Sequence, residues 1–174
     1  SFALNICFSV LHYQNSKDTE KCVDSILSLY PDDNNIYIVV VDNASTNDSF
    51  SILESKYGSN SKVKLLHNKN NLGFARGNNV GYRFCKDDLH ADVIAVINND
   101  IVITQDDFIK RVTEIVTTKG VDVLGPQIIN THEKNQNPLR VNRLKTSSIV
   151  KAMLYNFFVG YIVYSLPGIN IVTA

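Results

Sequence analysis

Five short apolar runs along the chain predict buried β-strands. They lie at residues 4–11, 36–41, 63–66, 92–97 and 121–125. The run at 36–41 is rich in β-branched residues and does not alternate with polar ones, which is typical of a central strand covered on both faces. Apolar residues at helical spacing predict helices at about residues 18–30, 49–57 and 73–84, with a fourth after Asp107. Alternating strands and helices predict an α/β fold with a Rossmann-like, mainly parallel sheet flanked by helices.

The helix starts carry recognisable capping signals. Asp18 is the predicted N-cap of the first helix, and Thr104 with Asp107 forms a capping-box-like pair before the fourth. The pattern changes after Pro126, where residues 130–145 are polar and a helix with an apolar stripe is predicted for about residues 146–162. We therefore expect a ligand-binding domain at 1–130 and a basic loop with an amphipathic helix at 131–174. We favour the interpretation in which the apolar stripe of this helix packs on the rest of the protein or on a missing half. In the alternative, the stripe docks on an anionic membrane.

Composition is that of an ordinary soluble domain, but charge is unevenly distributed. The formal net charge is +0, yet residues 1–125 hold 12 Lys/Arg and 16 Asp/Glu. The basic tail at 126–174 holds five Lys/Arg and one Asp/Glu. The tail indicates either an anionic partner or a patch that faces solvent or a missing neighbour. The cysteines, Cys7, Cys22 and Cys85, are interpreted as buried free thiols in a reducing compartment. Because no signal-peptide pattern opens the sequence, we expect a cytoplasmic protein. We expect no nucleic-acid partner.

Two polar segments directly follow predicted strands. Asp42 lies just past a central strand, where a carboxylate can accept a hydrogen bond from the imide N–H of a uracil or thymine ring. Asn98, Asn99 and Asp100 follow the strand at 92–97. One carboxylate plus diphosphate oxygens commonly binds Mg²⁺ or Mn²⁺, so Asp100 is the candidate metal ligand and Asn98 a candidate for a ribose hydroxyl. Either segment taken alone is also explained as an ordinary turn.

A third segment, at residues 71–79, opens the predicted helix at 73–84. Gly73 permits close backbone approach at a helix start, where anions are favoured. Arg76 follows one turn later and is placed to contact phosphate. The segment contains neither a Rossmann nor a P-loop fingerprint. The alternative is a surface arginine beside a glycine turn.

Taken together and in this order, the three segments resemble family-2 glycosyltransferases of the GT-A fold. They read Val-Asp-Asn-Ala-Ser-Thr-Asn-Asp-Ser at 41–49, Asn-Leu-Gly-Phe-Ala-Arg-Gly-Asn-Asn at 71–79 and Ile-Asn-Asn-Asp at 97–100. Bacterial rhamnosyltransferase-like members that build surface polysaccharides are the most similar, over about residues 4–130. The resemblance implies an inverting transfer of a sugar from a UDP- or dTDP-linked donor to a saccharide or lipid-linked acceptor, and it makes residues 1–130 a donor-binding domain.

The resemblance also implies roles for individual residues. Asp42, with Asn43 beside it, matches the aspartate that binds the base. Asp100 takes the metal position of the family's Asp-x-Asp motif, with Mn²⁺ or Mg²⁺ as the cofactor, and Asn98 replaces that motif's first aspartate. The other candidates for nucleotide-sugar binding are His12, Tyr13, Gly73, Arg76 and Asn99. His12 departs from the family's usual Pro-Thr-Tyr-Asn pattern.

No catalytic base is assigned. An inverting transfer needs a group that takes the proton of the acceptor hydroxyl, and in this family it is a carboxylate of the acceptor-binding half. Glu133 is the sole carboxylate after Asp122 and lies in a polar loop without motif context. We therefore expect a donor half without its acceptor half, in a chain that is either truncated or naturally short.

Two alternatives to a glycosyltransferase remain open. One is a non-catalytic nucleotide-sugar-binding module, which fits the missing base. The other is a nucleotidyltransferase, whose expected basic, Gly-rich loop after the first strand is not found. A lipid-linked acceptor would bring the protein into peripheral contact with the inner face of the membrane.

Overall fold

The computed structural model describes residues 4–120, which form a four-stranded sheet with helices on both faces. The strands are β1 (Ile6–His12), β2 (Ile36–Asp42), β3 (Val63–His67) and β4 (Val93–Asn98). The helices are α1 (Ser16–Leu29), α2 (Ser49–Tyr57), α3 (Gly73–Arg83) and α4 (Phe108–Lys119), and a π-helical turn at Phe84–Asp88 continues α3. No helix within these described residues is long and apolar enough to cross a membrane. The predicted strand at 121–125, the loop at 130–145, the helix at 146–162, the domain boundary at 130 and Glu133 all lie outside them.

Every strand pair in the sheet is parallel, in the order β3-β2-β1-β4. β1 pairs with β2 so that His12 lies beside Asp42, and with β4 so that Leu11 lies beside Asn98. The prediction of a parallel α/β sheet is therefore confirmed for the described residues. Because all four strands run the same way, their carboxyl ends share one edge, which is where ligands bind in such sheets.

Two apolar layers cover the sheet. On one face, Phe8 and Ile38 belong to a core with α1, α2 and the first turn of α4. On the other face, Val39 and Val41 pack with α3 and the turn after it. β2 is thus buried on both sides, as predicted for 36–41. β4 was expected to be equally buried, but it is the edge strand of the described sheet and its Val96 is 49% exposed.

α3 approaches β1 and β2 closely through two glycines. A Cβ at Gly81 would overlap Ser9 Oγ and lie 3.0 Å from a Val41 methyl, and a Cβ at Gly77 would lie 2.7 Å from a Leu11 methyl. The small residues let the helix lie directly on the strands. This close packing carries the segment at 71–79, which opens α3, to the edge of the sheet.

A disulfide joins Cys7 of β1 to Cys85 in the turn after α3, with the Cα atoms 5.9 Å apart. The interpretation of all three cysteines as free thiols is therefore wrong for this pair. The two residues are 78 positions apart in sequence, and only the packing of α3 on β1 brings them together. Cys22 is free and buried, as predicted.

The helix starts differ in detail from the predicted caps. α1 begins at Ser16 because Asn15, not Asp18, is its N-cap, and the Asn15 side chain accepts a hydrogen bond from the Asp18 backbone N–H at 3.2 Å. At α4, the Asp107 side chain makes no capping hydrogen bond and instead binds Arg111 Nε at 2.6 Å. The ion pair with Arg111 thus replaces the predicted capping box.

Candidate functional site

The three polar segments meet at the carboxyl edge of the sheet. β1 lies between β2 and β4, so Asp42 at the end of β2 and Asn98 at the end of β4 flank the end of β1. The segment that opens α3 is tied to the end of β2 by hydrogen bonds from Asn43. Residues far apart in sequence therefore form one polar site.

The Asp42 carboxylate is completely buried at this edge. His67 Nδ1 donates a hydrogen bond to its Oδ2 at 2.7 Å, and the Ser45 backbone N–H lies 3.2–3.3 Å from both oxygens. His12 Nε2 lies 3.7 Å from Oδ1. The Ser45 contact is the turn considered as the alternative for this segment. Asp42 therefore shapes its own loop, is hydrogen-bonded to His67 and lies beside the His12 ring.

His12 is completely buried and uses both ring nitrogens inside the protein. Nδ1 lies 2.7 Å from Thr19 Oγ1, and Nε2 lies 2.9 Å from Ser49 Oγ. Burial lowers the pKa of His12, and the neighbouring Asp42 charge offsets only part of that effect. The geometry favours an uncharged ring that positions Asp42, and direct contact between His12 and a sugar nucleotide stays a prediction.

The turn at residues 98–100 is anchored by α1. Asn99 Nδ2 donates a hydrogen bond to Thr19 Oγ1 at 3.1 Å, and Cys22 Sγ donates to the Asn98 carbonyl at 3.8 Å. Burial, with a smaller contribution from the Asp100 charge, raises the pKa of Cys22 to about 12, so its thiol stays protonated. The Asn98 and Asp100 side chains face solvent and are free to meet a ligand.

Thr19 links the two halves of the site. Its hydroxyl is completely buried and contacts both the His12 ring and the Asn99 amide. A continuous set of polar contacts therefore runs from Asn99 through Thr19 and His12 to Asp42. Such networks rigidify a site when their members are satisfied.

Asn43 holds the loop that leads into α3. Its side chain is 3% exposed, and its Oδ1 accepts hydrogen bonds from the Leu72 backbone at 3.0 Å and from Asn68 Nδ2 at 3.2 Å. Its Nδ2 donates to Asn71 Oδ1 at 3.0 Å and to the Gly73 carbonyl at 3.3 Å. The amide is thus engaged within the protein, and contact with a sugar nucleotide stays a prediction.

Gly73 and Arg76 form the accessible start of α3. Gly73 has φ +74°, and no atom lies within 4 Å of the position a Cβ would take, so its backbone conformation rather than space requires glycine. Arg76 lies in the first turn, is exposed and forms no ion pair with any residue among 4–120. An unpaired guanidinium at a helix N-terminus favours an anion there.

The loops after β1 and β2 are joined to each other beside Tyr13, which is 45% exposed. The Gln14 backbone donates to Ser45 Oγ at 2.8 Å, and Gln14 Nε2 donates to Thr46 Oγ1 at 2.7 Å. Gln14 and Ala44 both adopt left-handed backbone, with φ of 63° and 61°. Such conformations are uncommon outside glycine and concentrate at functional sites.

The family model for glycosyl transferase family 2 matches residues 8–170. The chain belongs to this family. Two curated relatives are each 27% identical to it: the glycosyltransferase GlyG of Streptococcus pneumoniae over 125 residues, and the low-salt glycan biosynthesis hexosyltransferase Agl10 of Haloferax volcanii over 121 residues. The matches cover 72% and 70% of this chain but only 39% and 36% of the relatives. The chain thus spans less than half the length of either relative.

Solved structures show the same fold. The mannosyltransferase PcManGT from Pyrobaculum calidifontis, in complex with GDP-Man and Mn²⁺, superposes with a TM-score of 0.57 at 18% identity, covering 67% of this chain and 33% of that one. S. aureus TarS 1–349, in complex with UDP-GlcNAc, superposes with a TM-score of 0.53 at 20% identity, covering 68% and 33%. The predicted GT-A fold is confirmed.

The turn at residues 98–100 suits a metal ion that is bound jointly by the protein and by a bound ligand. Within residues 4–120, no cluster of three or more His, Cys, Asp or Glu side chains could hold a metal ion. Asp100 offers the two oxygens of one exposed carboxylate, which pairs with no cation of the described region. These are the oxygen ligands that Mn²⁺ and Mg²⁺ prefer, with the remaining positions left to diphosphate oxygens and water.

Three polar residues of the site were missed by sequence reasoning. His67 ends β3 as Asp42 ends β2, so the rule that selected Asp42, a polar residue at the carboxyl end of a predicted strand, could have found it. Thr19 lies on α1, outside the three motifs, and Ser49 ends the motif at 41–49 but was given no role in the site. Only the packing of α1 and α2 on the sheet brings these two hydroxyls to His12.

Proposed function

We propose that this chain is the donor-binding half of an inverting glycosyltransferase that uses a UDP- or dTDP-linked sugar. The observation that carries the proposal is the position of Asp42 and of the 98–100 turn on the strands either side of β1. Asp42 supplies a hydrogen-bond acceptor for the base, and the turn supplies a carboxylate near the diphosphate. Relatives named as a glycosyltransferase and a hexosyltransferase support the same reaction class.

Asp42 reads the base in this proposal. A carboxylate in a water-poor site accepts a strong hydrogen bond from an imide N–H, and it discriminates against a base that presents a bare nitrogen there. The Ser45 backbone N–H donates to the carboxylate, and the buried His12 ring packs beside it with Nε2 3.7 Å from Oδ1. Tyr13, which follows His12 and is half-exposed, offers an aromatic surface beside the base.

The sugar diphosphate lies between α3 and the 98–100 turn. Arg76 and the backbone at Gly73 contact phosphate oxygens, and the Asn98 amide binds a ribose hydroxyl, with Asn99 holding the turn in place through Thr19. Asp100 would hold Mn²⁺ or Mg²⁺, which neutralises charge on a departing diphosphate. The Mn²⁺ in the complex of the similar PcManGT supports this assignment.

The acceptor and the base complete the proposal. The acceptor is a saccharide or a lipid-linked saccharide in polysaccharide biosynthesis, for which the glycan biosynthesis role in the name of Agl10 gives support. With a lipid-linked acceptor, a cytoplasmic protein would be in peripheral contact with the inner face of the membrane, although the Cys7–Cys85 disulfide is more typical of an oxidising compartment. The general base belongs to the acceptor-binding side.

Calorimetry with UDP and dTDP, with and without Mn²⁺, tests the proposal. We expect micromolar to millimolar binding that strengthens with Mn²⁺, is abolished in Asp42→Ala and loses its Mn²⁺ dependence in Asp100→Asn. Asp106→Asn, which removes an exposed carboxylate outside the site, is the matched control and should bind like wild type. Failure of both nucleotides to bind would overturn the proposal.

Transfer activity separates an enzyme from a binding module. With a UDP-linked sugar and simple saccharide acceptors, the 174-residue chain should bind the donor without releasing UDP by transfer. Transfer by this chain alone would show that it already contains the base. Donor binding without transfer, followed by transfer when an acceptor-binding half is supplied, would support a donor half over a non-catalytic module.

A further inference from the structure

The Asp42 carboxylate, which the proposed function assigns to the base, has no exposed surface. A nucleobase can reach it only if one of its present neighbours moves. The polar groups that contact it within the described residues are the Ser45 backbone N–H, His12 and His67. Which of these can move decides how the site opens.

His12 and Ser45 are held in place. The His12 ring is completely buried and contacts two hydroxyls, at 2.7 Å and 2.9 Å, so its displacement would leave buried polar atoms unpaired. The Ser45 N–H belongs to the turn that follows β2, and that turn is joined to Gln14 through the Ser45 hydroxyl. Neither group can leave Asp42 without disrupting the loops.

His67 is different because half of its side chain faces solvent. Its side chain is 49% exposed, whereas that of Asp42 is fully buried, and Nδ1 donates the shortest hydrogen bond that the carboxylate accepts, at 2.7 Å. The ring lies against Phe50 of α2, with the centroids 4.8 Å apart. His67 is the last residue of β3 and the register partner of Asp42, so rotation of its side chain leaves the sheet intact.

We propose that His67 covers Asp42 in the free protein and is displaced by the imide N–H of the incoming base. One N–H···O hydrogen bond to the carboxylate is exchanged for another, and no covalent bond changes. Because the covered state must open first, His67 lowers the apparent nucleotide affinity by the fraction of molecules that are open. The inference rests on the proposed function, since it concerns the same carboxylate.

Three variants distinguish the effect of the His67–Asp42 hydrogen bond from the effect of the size of the His67 ring. His67→Phe keeps an aromatic ring against Phe50 but cannot donate to Asp42, whereas His67→Gln keeps a donor. His90→Asn removes an exposed histidine at the opposite end of the sheet, before β4, and asparagine tolerates the left-handed backbone there. Unfolding curves of the variants check that each remains folded.

Calorimetry with UDP and CDP provides the test. We expect His67→Phe to bind UDP about fivefold tighter than wild type, since one hydrogen bond no longer has to be broken. His67→Gln and His90→Asn should bind UDP like wild type. CDP, whose N3 carries no proton, should gain nothing in any variant. Unchanged or weaker UDP binding by His67→Phe would overturn the proposal, and weaker binding would show that the base contacts His67 directly.

The two proposals fail in different ways. In one outcome, wild type binds UDP, Asp42→Ala abolishes that binding and His67→Phe leaves it unchanged. This outcome supports the donor site and overturns only the covering role of His67. Absence of UDP and dTDP binding in wild type and in His67→Phe overturns the donor site and the covering role together. Binding by His67→Phe when wild type shows none would support both.

Discussion

The imidazole of His12 lies 3.7 Å from the carboxylate of Asp42, and neither side chain is exposed. The two residues are register partners on adjacent parallel strands, so the sheet itself sets their separation. Because an uncharged ring at this distance supplies neither a charge nor a hydrogen bond, the buried carboxylate depends on the hydrogen bonds from the Ser45 backbone and from His67. The pair of His12 and Asp42 therefore places the buried core of the fold and the proposed base contact in the same few residues.

The lowered pKa of His12 predicts a loss of stability in mild acid. Unfolding frees the ring to bind a proton with its ordinary pKa of 6.5, while the folded protein binds that proton only at lower pH. The unfolded state therefore takes up more protons as pH falls below about 6.5, and the free energy of unfolding decreases until the folded pKa is reached. Urea unfolding at a series of pH values from 8 to 5 measures this decrease in the free energy of unfolding.

The matched comparison for this prediction is His12→Gln, which retains polar atoms but does not titrate. Its free energy of unfolding should fall less steeply than that of wild type over the same pH range, because it lacks the His12 titration. The other histidines are the same in both proteins. Parallel pH profiles in the two proteins would show that His12 is not buried in its neutral form.

The Thr19 hydroxyl should be important for both stability and the 98–100 turn. Thr19→Val keeps the shape of the side chain but leaves the His12 ring and the Asn99 amide without their shared partner. We expect a loss of about 1–3 kcal/mol in the free energy of unfolding, measured by urea denaturation. Thr19→Ser, which restores the hydroxyl, should recover most of it. Equal stability of Thr19→Val and wild type would argue against the network.

The contact of α3 with β1 predicts unequal effects of two similar substitutions. Gly81→Ala places a methyl group against Ser9 Oγ and Val41, which cannot move easily, and should cost about 1–3 kcal/mol. Gly77→Ala meets mainly the two methyl groups at the end of the flexible Leu11 side chain, with Asn43 Cγ at 3.4 Å, so its cost should be smaller. Asn79→Ala, at an exposed position of α3, controls for helix propensity. Thermal unfolding ranks the three, and an equal effect of both glycine substitutions would contradict the packing.

The disulfide predicts a specific pattern of alkylation. Protein purified and denatured without reductant should be labelled at Cys22 alone, because Cys7 and Cys85 are bonded to each other. After reduction, all three cysteines should be labelled. Intact mass spectrometry counts the labels. Three labels before reduction would show that the pair is in the thiol form, as the sequence had suggested.

Much of the fold could be predicted from the sequence because its signals are local. The β-branched run at 36–41 identified a strand buried on both faces, and polar residues after two strands located the site at one edge of the sheet. The same reasoning overestimated the burial of β4, which lies at the edge of the sheet formed by residues 4–120, because an apolar strand has the same pattern at an edge as in the centre. Periodicity describes the faces of an element but not its place in the sheet.

The contacts within the site were not predictable, since they depend on register and packing. His67 reaches Asp42 because β2 and β3 pair with these residues side by side, and Thr19 reaches His12 because α1 crosses the end of β1. Asn43 was grouped with the ligand-binding residues by its place in the motif, yet its amide holds the loop before α3. Motifs identify which residues cluster, and the structure distinguishes those that face a ligand from those that hold the others.

The most direct test of the account is the ratio of the dissociation constants for CDP and UDP. Uracil presents an imide N–H to Asp42, whereas cytosine presents a bare ring nitrogen at the same position and an amino group in place of the adjacent carbonyl oxygen, so the two nucleotides differ only on the edge of the base that meets Asp42. If Asp42 reads the base, wild type should prefer UDP by at least about tenfold, as expected for a hydrogen bond to a charged group, and Asp42→Ala should bind neither nucleotide. Equal affinity of wild type for UDP and CDP would contradict it.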